Sequence, residues 1–294
     1  MSHSAGRTVH FVYAKQYRDV GSTVMRGEQL AGIARRHGSR RVRYSPTTRN
    51  PRNAILFLTK NALHTLSADH LDELRRRGNT LLFDVLDQNP PTTTEDFADA
   101  IVAASMTAHT DFTSQFAQIP TFLVNHHVDV RLASLPLPTR ADQFRAAYFG
   151  ELKNTIRSEA LDRQVDYVPV STSERSDAWL RRLPEYTLHF AIREHIGRDL
   201  HKPFLKGFTA AHCGANILIQ DSEAEAVEWL GADYPYLLRQ EPTEARVAAA
   251  LEAARESFGT AEWKDGLARM NDIRMRTTPE RIADELERLF VAFD

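Results

Sequence analysis

Cysteine is almost absent from this chain. Its 294 residues hold one, Cys213, so no internal disulfide can form, and twelve histidines beside a single cysteine do not make a structural zinc framework. A reducing, cytoplasmic setting is the expectation. Long apolar runs are missing too. No stretch approaches the roughly 18 residues of a membrane span, and the opening MSHSAGRTVHFVYAKQYRD lacks the charged start, apolar middle and cleavage site of a leader. The chain therefore reads as soluble and unprocessed. It has no Gly-x-Gly-x-x-Gly fingerprint, no Walker A loop, no zinc-finger spacing, no aromatic-interleaved RNA motif and no internal repeat, which leaves nucleic acid without support.

What is present is ordinary globular material. Hydrophobic residues at 42% and charged residues at 26% exclude wholesale disorder, collagen and coiled coil. At roughly 150 residues per domain the length suggests two domains. The net charge of −2 hides an asymmetry: residues 1–99 carry 15 Lys and Arg against 10 Asp and Glu, and the remainder 22 against 29. Seven arginines fall between Arg35 and Arg52, a run suited either to a solvated helix end and loop or to phosphate groups and an anionic membrane surface.

Short β-rich runs alternate with amphipathic stretches. Strands are expected at Thr8–Ala14, Arg41–Tyr44, Ala54–Thr59, Thr80–Asp84, Ile101–Ala104 and Thr121–Val124, with helices over Val24–His37, Ala68–Arg77, Glu95–Ala100 and Asp111–Gln118. After the proline-bearing stretch Leu135–Thr139 the rhythm restarts. Strands are expected at Phe144–Phe149, Val165–Val170, Thr187–Arg193 and Ala215–Gln220. Helices are expected at Asn154–Arg163, Glu174–Leu183, Pro203–Cys213, Glu223–Leu230, Glu244–Ser257, Ala261–Arg274 and Pro279–Phe293. Near-continuous apolar strands separated by helices signal parallel sheets covered on both faces. The expected fold class is α/β, two Rossmann-like doubly wound domains with C-terminal helices: residues 1–137, residues 138–277, and a final helix over 278–294 packing back on the core.

In open α/β sheets ligands bind beyond the carboxyl ends of the strands, so those ends hold the candidates. After the first strand, Gly21 permits a turn, Ser22 or Thr23 can cap a helix, and Arg26 and Glu28 fall near its start. The fourth strand ends at Asp84 and Asp87, carboxylates suited to a general base or to a hydroxylated ligand. Their Asp-x-x-Asp spacing does not reproduce an Asp-x-Asp metal motif, so no divalent ion is inferred. Asn125, His126, His127, Asp129 and Arg131 crowd the passage between the two domains, as ligand contacts or an interdomain hydrogen-bond network. Gly150, Lys153 and Asn154 follow the YFG strand. Arg193 ends another strand, and the helix expected from Pro203 carries Lys202 and Lys206 on one side, two cations near an N-terminus that oppose the macrodipole unless an anion compensates them.

KPFLKGFTAAHCGANILI followed by EAVEWLGADYPYLL, with the YFG strand and the Gly-Ser entry loop, resembles bacterial glycosyltransferases of the GT-B fold, as a compact member. The resemblance implies transfer of a sugar from a nucleotide-diphosphate donor to a hydroxylated acceptor without a metal. No cofactor is implied; the nucleotide sugar is a co-substrate, and the acceptor a small molecule, a glycan or a lipid-linked group. It implies that Arg193, Lys202 and Lys206 neutralise the diphosphate, that Gly150 and Asn154 approach the donor, and that Ser222 or Glu223 holds ribose or sugar. Asp87 is then the leading acceptor-activating base, Glu28 the second, with Ser22, Arg26, His127 and Asp129 on the acceptor or interdomain side. Many retaining members carry two glutamates eight positions apart; here Lys202 and Ala210 stand at those places, so retaining chemistry is not supported. A GT-B epimerase and a non-catalytic nucleotide-sugar or partner-binding relative are the alternatives.

Overall fold

The computed structural model describes residues 6–47, 49–134, 142–171, 176–194 and 200–294. The expected linker at Leu135–Thr139, and with it the 137/138 boundary, lies outside them. Two compact units emerge: Met1–His127 with His201–Pro203 and Thr278–Asp294 in the first, and Val128–Leu200 with Phe204–Thr277 in the second.

The first unit is a six-stranded parallel sheet: β1 (Val9–Tyr13), β2 (Val42–Pro46), β3 (Ile55–Thr59), β4 (Thr80–Leu86), β5 (Ala100–Ala103) and β6 (Thr121–Leu123), in the order β2-β1-β3-β4-β5-β6. Every residue of β3, β4 and β5 is buried, which is why these strands read as unbroken apolar runs. Ser67 and Ser105 cap the helices Ala68–Arg76 and Met106–Gln115, each hydroxyl accepting from the N–H three residues on. The second unit has β7 (Ala146–Gly150), β8 (Val165–Pro169), β9 (Leu188–Phe190), β10 (Asn216–Gln220) and β11 (Leu237–Leu238), all parallel, in the order β11-β10-β9-β7-β8. Counted from its own first strand, each sheet begins 2-1-3-4-5. The strand order therefore reverses between β1 and β3 in one unit and between β7 and β9 in the other, the switch points at which such sheets bind ligands.

Several expected elements differ, among them the helix expected at Asp111–Gln118, which runs Met106–Gln115. The stretch Val24–His37 is not one regular helix: Val24–Gln29 is a widened π-helical stretch and the α-helix runs Leu30–His37. Met25, Arg26, Gly27 and Gln29 are all buried there, more than one face of a regular helix would bury. Only Glu159–Asp162 of the span 154–163 is α-helical; Thr155 is extended and its hydroxyl donates to the Ile192 carbonyl at 2.7 Å. In place of the helix at 174–183, of which 174–175 lie outside the described residues, a 3-10 turn spans Leu180–Glu185 and contains Pro184. Regular pairing in β9 stops at Phe190.

The tail helices run Glu244–Glu256, Ala261–Arg276 and Pro279–Val291. The last is capped by Thr278 with Pro279 in its first turn, and buries Ile282, Ala283, Leu286, Leu289 and Phe290. It packs in the first unit, where Phe290 meets Phe11 edge to face at 6.2 Å. Among the described residues no helix is long and apolar enough to cross a membrane. Leu286→Ala, at a fully buried position, should cost about 2–5 kcal/mol in urea unfolding, whereas Val291→Ala on the exposed side should stay within about 0.5 kcal/mol.

Candidate functional site

In the second unit the candidates gather at the β7/β9 switch point. The Arg193 N–H donates to Gln220 Oε1 at 2.8 Å, and Gln220 Nε2 donates back to the Arg193 carbonyl at 3.2 Å. This reciprocal pair fixes the chain where it leaves β9. The Arg193 guanidinium, nearly buried, lies 3.1 Å from a Glu223 carboxylate oxygen. Lys206 Nζ sits 3.7 Å from the centre of the Tyr148 ring, and the Arg193 charge also acts on that phenol. Tyr148 donates to the Glu151 carbonyl at 2.9 Å, and burial pushes its hydroxyl up to about 12, so it serves the site as an uncharged platform. Gly150 follows at the strand end; a Cβ there would stand 2.7 Å from the Tyr148 oxygen, so glycine is required for the ring to take this place.

Lys202 and Lys206 do not share a helix face, as the spacing had suggested. The helix runs Leu205–His212, and Phe204 takes its N-cap position with ψ at 40°. Its ring folds over Gly207, where an added Cβ would come within 2.0 Å of ring carbons. That packing starts the helix two residues later than proline at 203 would allow, and Lys202 is counted with the first unit. Asn154 and Ser222 are exposed, the first ending a 3-10 turn and the second in the turn before the helix Ala224–Leu230.

In the first unit, Arg26 is not available for a phosphate or acceptor. It is 1% exposed, bonds Asp84 through Nε and Nη2 at 2.6–3.3 Å, and gives Nη1 to the carbonyls of Val124 and Asn125. Burial pushes the Asp84 carboxyl up and the Arg26 guanidinium pulls it back. Ser22 is not a helix cap, since Val20 holds the N-cap position; the Ser22 and Thr23 hydroxyls accept from Asn61 Nδ2 at 3.1 and 2.9 Å. Asp87, half-buried, pairs with Lys60 Nζ at 2.8 Å. Leu86 before it sits at φ 58°, a left-handed conformation rare for a branched residue, where the β4/β5 register shifts. Glu28 lies half-buried on the π-helical stretch.

His127 and Asp129 are both turned inward. His127 Nε2 meets Gln29 Oε1 at 3.2 Å, its Nδ1 is buried without a hydrogen bond, and burial together with His126 and Arg26 holds the ring neutral. Asp129 accepts from the Arg131 backbone and guanidinium at 2.6–3.2 Å, a local turn in the second unit.

Tyr148, His189, Gln220, Lys60 and Glu285 lie at these strand ends and contacts without having been among the expected site residues. Gln220 and Lys60 were findable as polar residues at or just past the ends of the apolar runs ANILI and AILFLT. Glu285 was not, because its carboxylate accepts from Asn125 N and Nδ2, both at 2.8 Å, across 160 positions of sequence. His189 lies buried in β9 with Nε2 unbonded; burial and the Lys206 charge hold it at about 3.

No protein-family model matches the sequence, and no curated protein matches it. Solved structures do. The Anabaena protein HepE in complex with UDP-glucose is similar at a TM-score of 0.66 and 11% identity, over 98% of this chain and 100% of that one. A glycosyltransferase from Rickettsia africae matches at 0.64 and 9% identity, over 98% of each chain. The pneumococcal O-GlcNAc transferase GtfA in complex with UDP and GlcNAc matches at 0.57 and 11% identity, over 83% of this chain and 58% of that one. The chain thus has the α/β fold with two parallel sheets that these proteins share, the GT-B class expected from the resemblance.

Two stability outcomes follow. Arg26→Ala strands a buried carboxylate and should cost about 3–5 kcal/mol in urea unfolding, and Arg26→Met with Asp84→Leu should recover most of it. His189 has a folded pKa below its unfolded value, so the stability it contributes is full above about pH 6.5 and is lost as the pH falls toward 3. His189→Gln should therefore flatten the fall in unfolding free energy between neutral pH and about pH 4; an unchanged slope would refute the assignment.

Proposed function

We propose that this protein is a glycosyltransferase that moves a sugar from a nucleotide-diphosphate donor to a hydroxylated acceptor. The observation that carries the reading is the pair of cations, Arg193 and Lys206, gathered around Tyr148 at the β7/β9 switch point. The likeness in fold to HepE, whose structure holds UDP-glucose, and to GtfA, whose structure holds UDP and GlcNAc, supports it.

Breaking a sugar–phosphate bond places negative charge on the leaving diphosphate and positive character on the sugar. Two fixed cations beside the diphosphate stabilise that charge more than they stabilise the intact donor, which lowers the barrier. The reading assigns this neutralisation to Arg193 and Lys206, not to a divalent ion. Arg193 is aimed by the Gln220 clamp before any ligand arrives, and an entering diphosphate competes with Glu223 for it. Glu223, so released, accepts hydrogen bonds from ribose or sugar hydroxyls, and Gly150 with Asn154 offers close approach from the neighbouring loop. Lys202 is set aside from this group, since it precedes the helix that carries Lys206.

On the acceptor side the reading assigns the proton to Asp87. Its carboxylate follows a left-handed Leu86 and is held by Lys60, so an acceptor hydroxyl must replace or share that ammonium contact. The acceptor class is a glycan, small molecule or lipid-linked hydroxyl.

The decisive experiment is a thermal-shift series with UDP, GDP, dTDP, CMP and their sugars. A ligand at about 100 times its dissociation constant adds about 2.7 kcal/mol, a visible rise in Tm, and no rise with any nucleotide would remove the reading. Lys206→Ala should keep its fold and lose at least about tenfold in turnover, equivalent to about 1.4 kcal/mol of transition-state stabilisation, and near-normal turnover would sink the assignment.

A further inference from the structure

Two polar pairs join the ends of β3 and β4. Past β3 the chain turns at once into the four-residue helix Lys60–Leu63, and His64 stands one turn on, its N–H donating to the Lys60 carbonyl at 3.2 Å. Past β4 come Asp87 and Gln88. Lys60 Nζ donates to Asp87 Oδ1 at 2.8 Å, and His64 Nε2 meets Gln88 Oε1 at 2.6 Å. An amide oxygen only accepts, so His64 Nε2 carries the proton of that bond and Nδ1 is left as an acceptor.

The loops do not depend on these pairs. Asn61, Ala62 and Leu63 are buried and seat the helix, with Asn61 Nδ2 on the Ser22 and Thr23 hydroxyls. On the other side the Gln88 N–H donates to the Val85 carbonyl at 3.2 Å, closing a turn around the buried Leu86 at φ 58°. A branched residue in that conformation is costly and persists where its surroundings demand one chain direction. Here that direction brings Asp87 and Gln88 up to Lys60 and His64. His64 and Gln88 are exposed, where a neutral hydrogen bond adds little to stability. Among the described residues each of the four makes one side-chain hydrogen bond that aims it and keeps polar atoms beyond it: two N–H groups on Lys60, Oδ2 on Asp87, the amide N–H pair on Gln88 and Nδ1 on His64.

We propose that this rim holds an uncharged sugar ring as the acceptor, with His64 and Gln88 as its specificity-determining residues; the inference rests on the transfer reading above. Donors and acceptors alternate around the rim, as suits hydroxyl groups, each of which both gives and takes a hydrogen bond. The two pairs start one helical turn apart, about 5.4 Å, a separation that hydroxyls on opposite sides of one pyranose ring can span. The single ammonium and the single carboxylate cancel. A phosphate or carboxylate drawn to Lys60 meets Asp87 as a like charge, whereas a neutral hydroxyl can accept from one and donate to the other. Asp87 remains the base. His64 and Gln88 hold the ring that presents a hydroxyl to it, so they act on acceptor binding more than on turnover.

The test is saturation-transfer NMR of the full chain, with and without UDP, against the methyl glycosides of glucose, galactose, mannose and N-acetylglucosamine, with glucose 6-phosphate and glycerol as comparators. At least one methyl glycoside should bind, and more tightly than either comparator. His64→Ala and Gln88→Ala should each weaken it at least about fivefold, the effect of one neutral hydrogen bond. His70→Ala with Gln118→Ala, exposed elsewhere in the first unit, should leave it unchanged. Melting curves check each fold, and His64→Phe and Gln88→Met replace the alanines where one fails. With that glycoside as acceptor and the nucleotide sugar chosen by thermal shift, His64→Ala should raise the acceptor KM by about the same factor and keep kcat within about twofold, while Asp87→Asn lowers kcat. No glycoside bound, binding indifferent to both substitutions, or a preference for glucose 6-phosphate abolished by Lys60→Met would overturn the inference, while a Tm raised by a nucleotide would keep the transfer reading. A glycoside held by a protein that no nucleotide stabilises would remove the transfer reading and the acceptor role with it.

Discussion

The ion pair between Arg26 and Asp84 organises the first unit. Both groups are buried, and two charges withdrawn from water are stable only with all their hydrogen bonds in place. Asp84 takes two guanidinium nitrogens, and the remaining one reaches the carbonyls of Val124 and Asn125 beyond β6. One side chain thus ties a helical stretch after β1 to the end of β4 and to the chain beyond β6. Arg26 itself lies on the π-helical stretch Val24–Gln29. The segment Asn125–His127 inherits its position from the same tie, with Glu285 holding it from the terminal helix.

The second unit fixes its strand ends with neutral groups. Its β7/β9 end is fixed by amides and hydroxyls: Gln220 clamps the Arg193 backbone, Thr155 holds the Ile192 carbonyl, and Tyr148 holds that of Glu151. Beside these neutral contacts lie the two cations, Arg193 against Glu223 and Lys206 over the Tyr148 ring.

Period and composition revealed the architecture because the strands are buried on both faces and stand out as apolar runs, AILFLT and TLLFD above all. Helices with a hydroxyl cap, such as the one opened by Thr278 and Pro279, were equally legible. The failures came where side chains from distant parts of the chain decide local geometry. Phe204 delays a helix by covering Gly207, Thr155 straightens a stretch by reaching Ile192, and Arg26 is withdrawn from solvent by an aspartate 58 positions away. None of these has a local signal. At the site, Arg193 and Lys206 were found as cations past a strand end and at a helix start, whereas Tyr148 and Gln220, which aim them, were hidden among residues that read as core.

The terminal helix has a consequence for the order in which the molecule is made. Pro279–Val291 completes the first unit, with Leu286, Leu289 and Phe290 in its core and Glu285 on Asn125, yet the ribosome supplies it only after residues 128–277. Domains generally fold as they emerge, N-terminal first. Here the first unit cannot close its core until the last helix arrives, so an apolar face stays uncovered throughout the synthesis of residues 128–277. The interval before the last helix arrives is when nascent chains most need protection from aggregation.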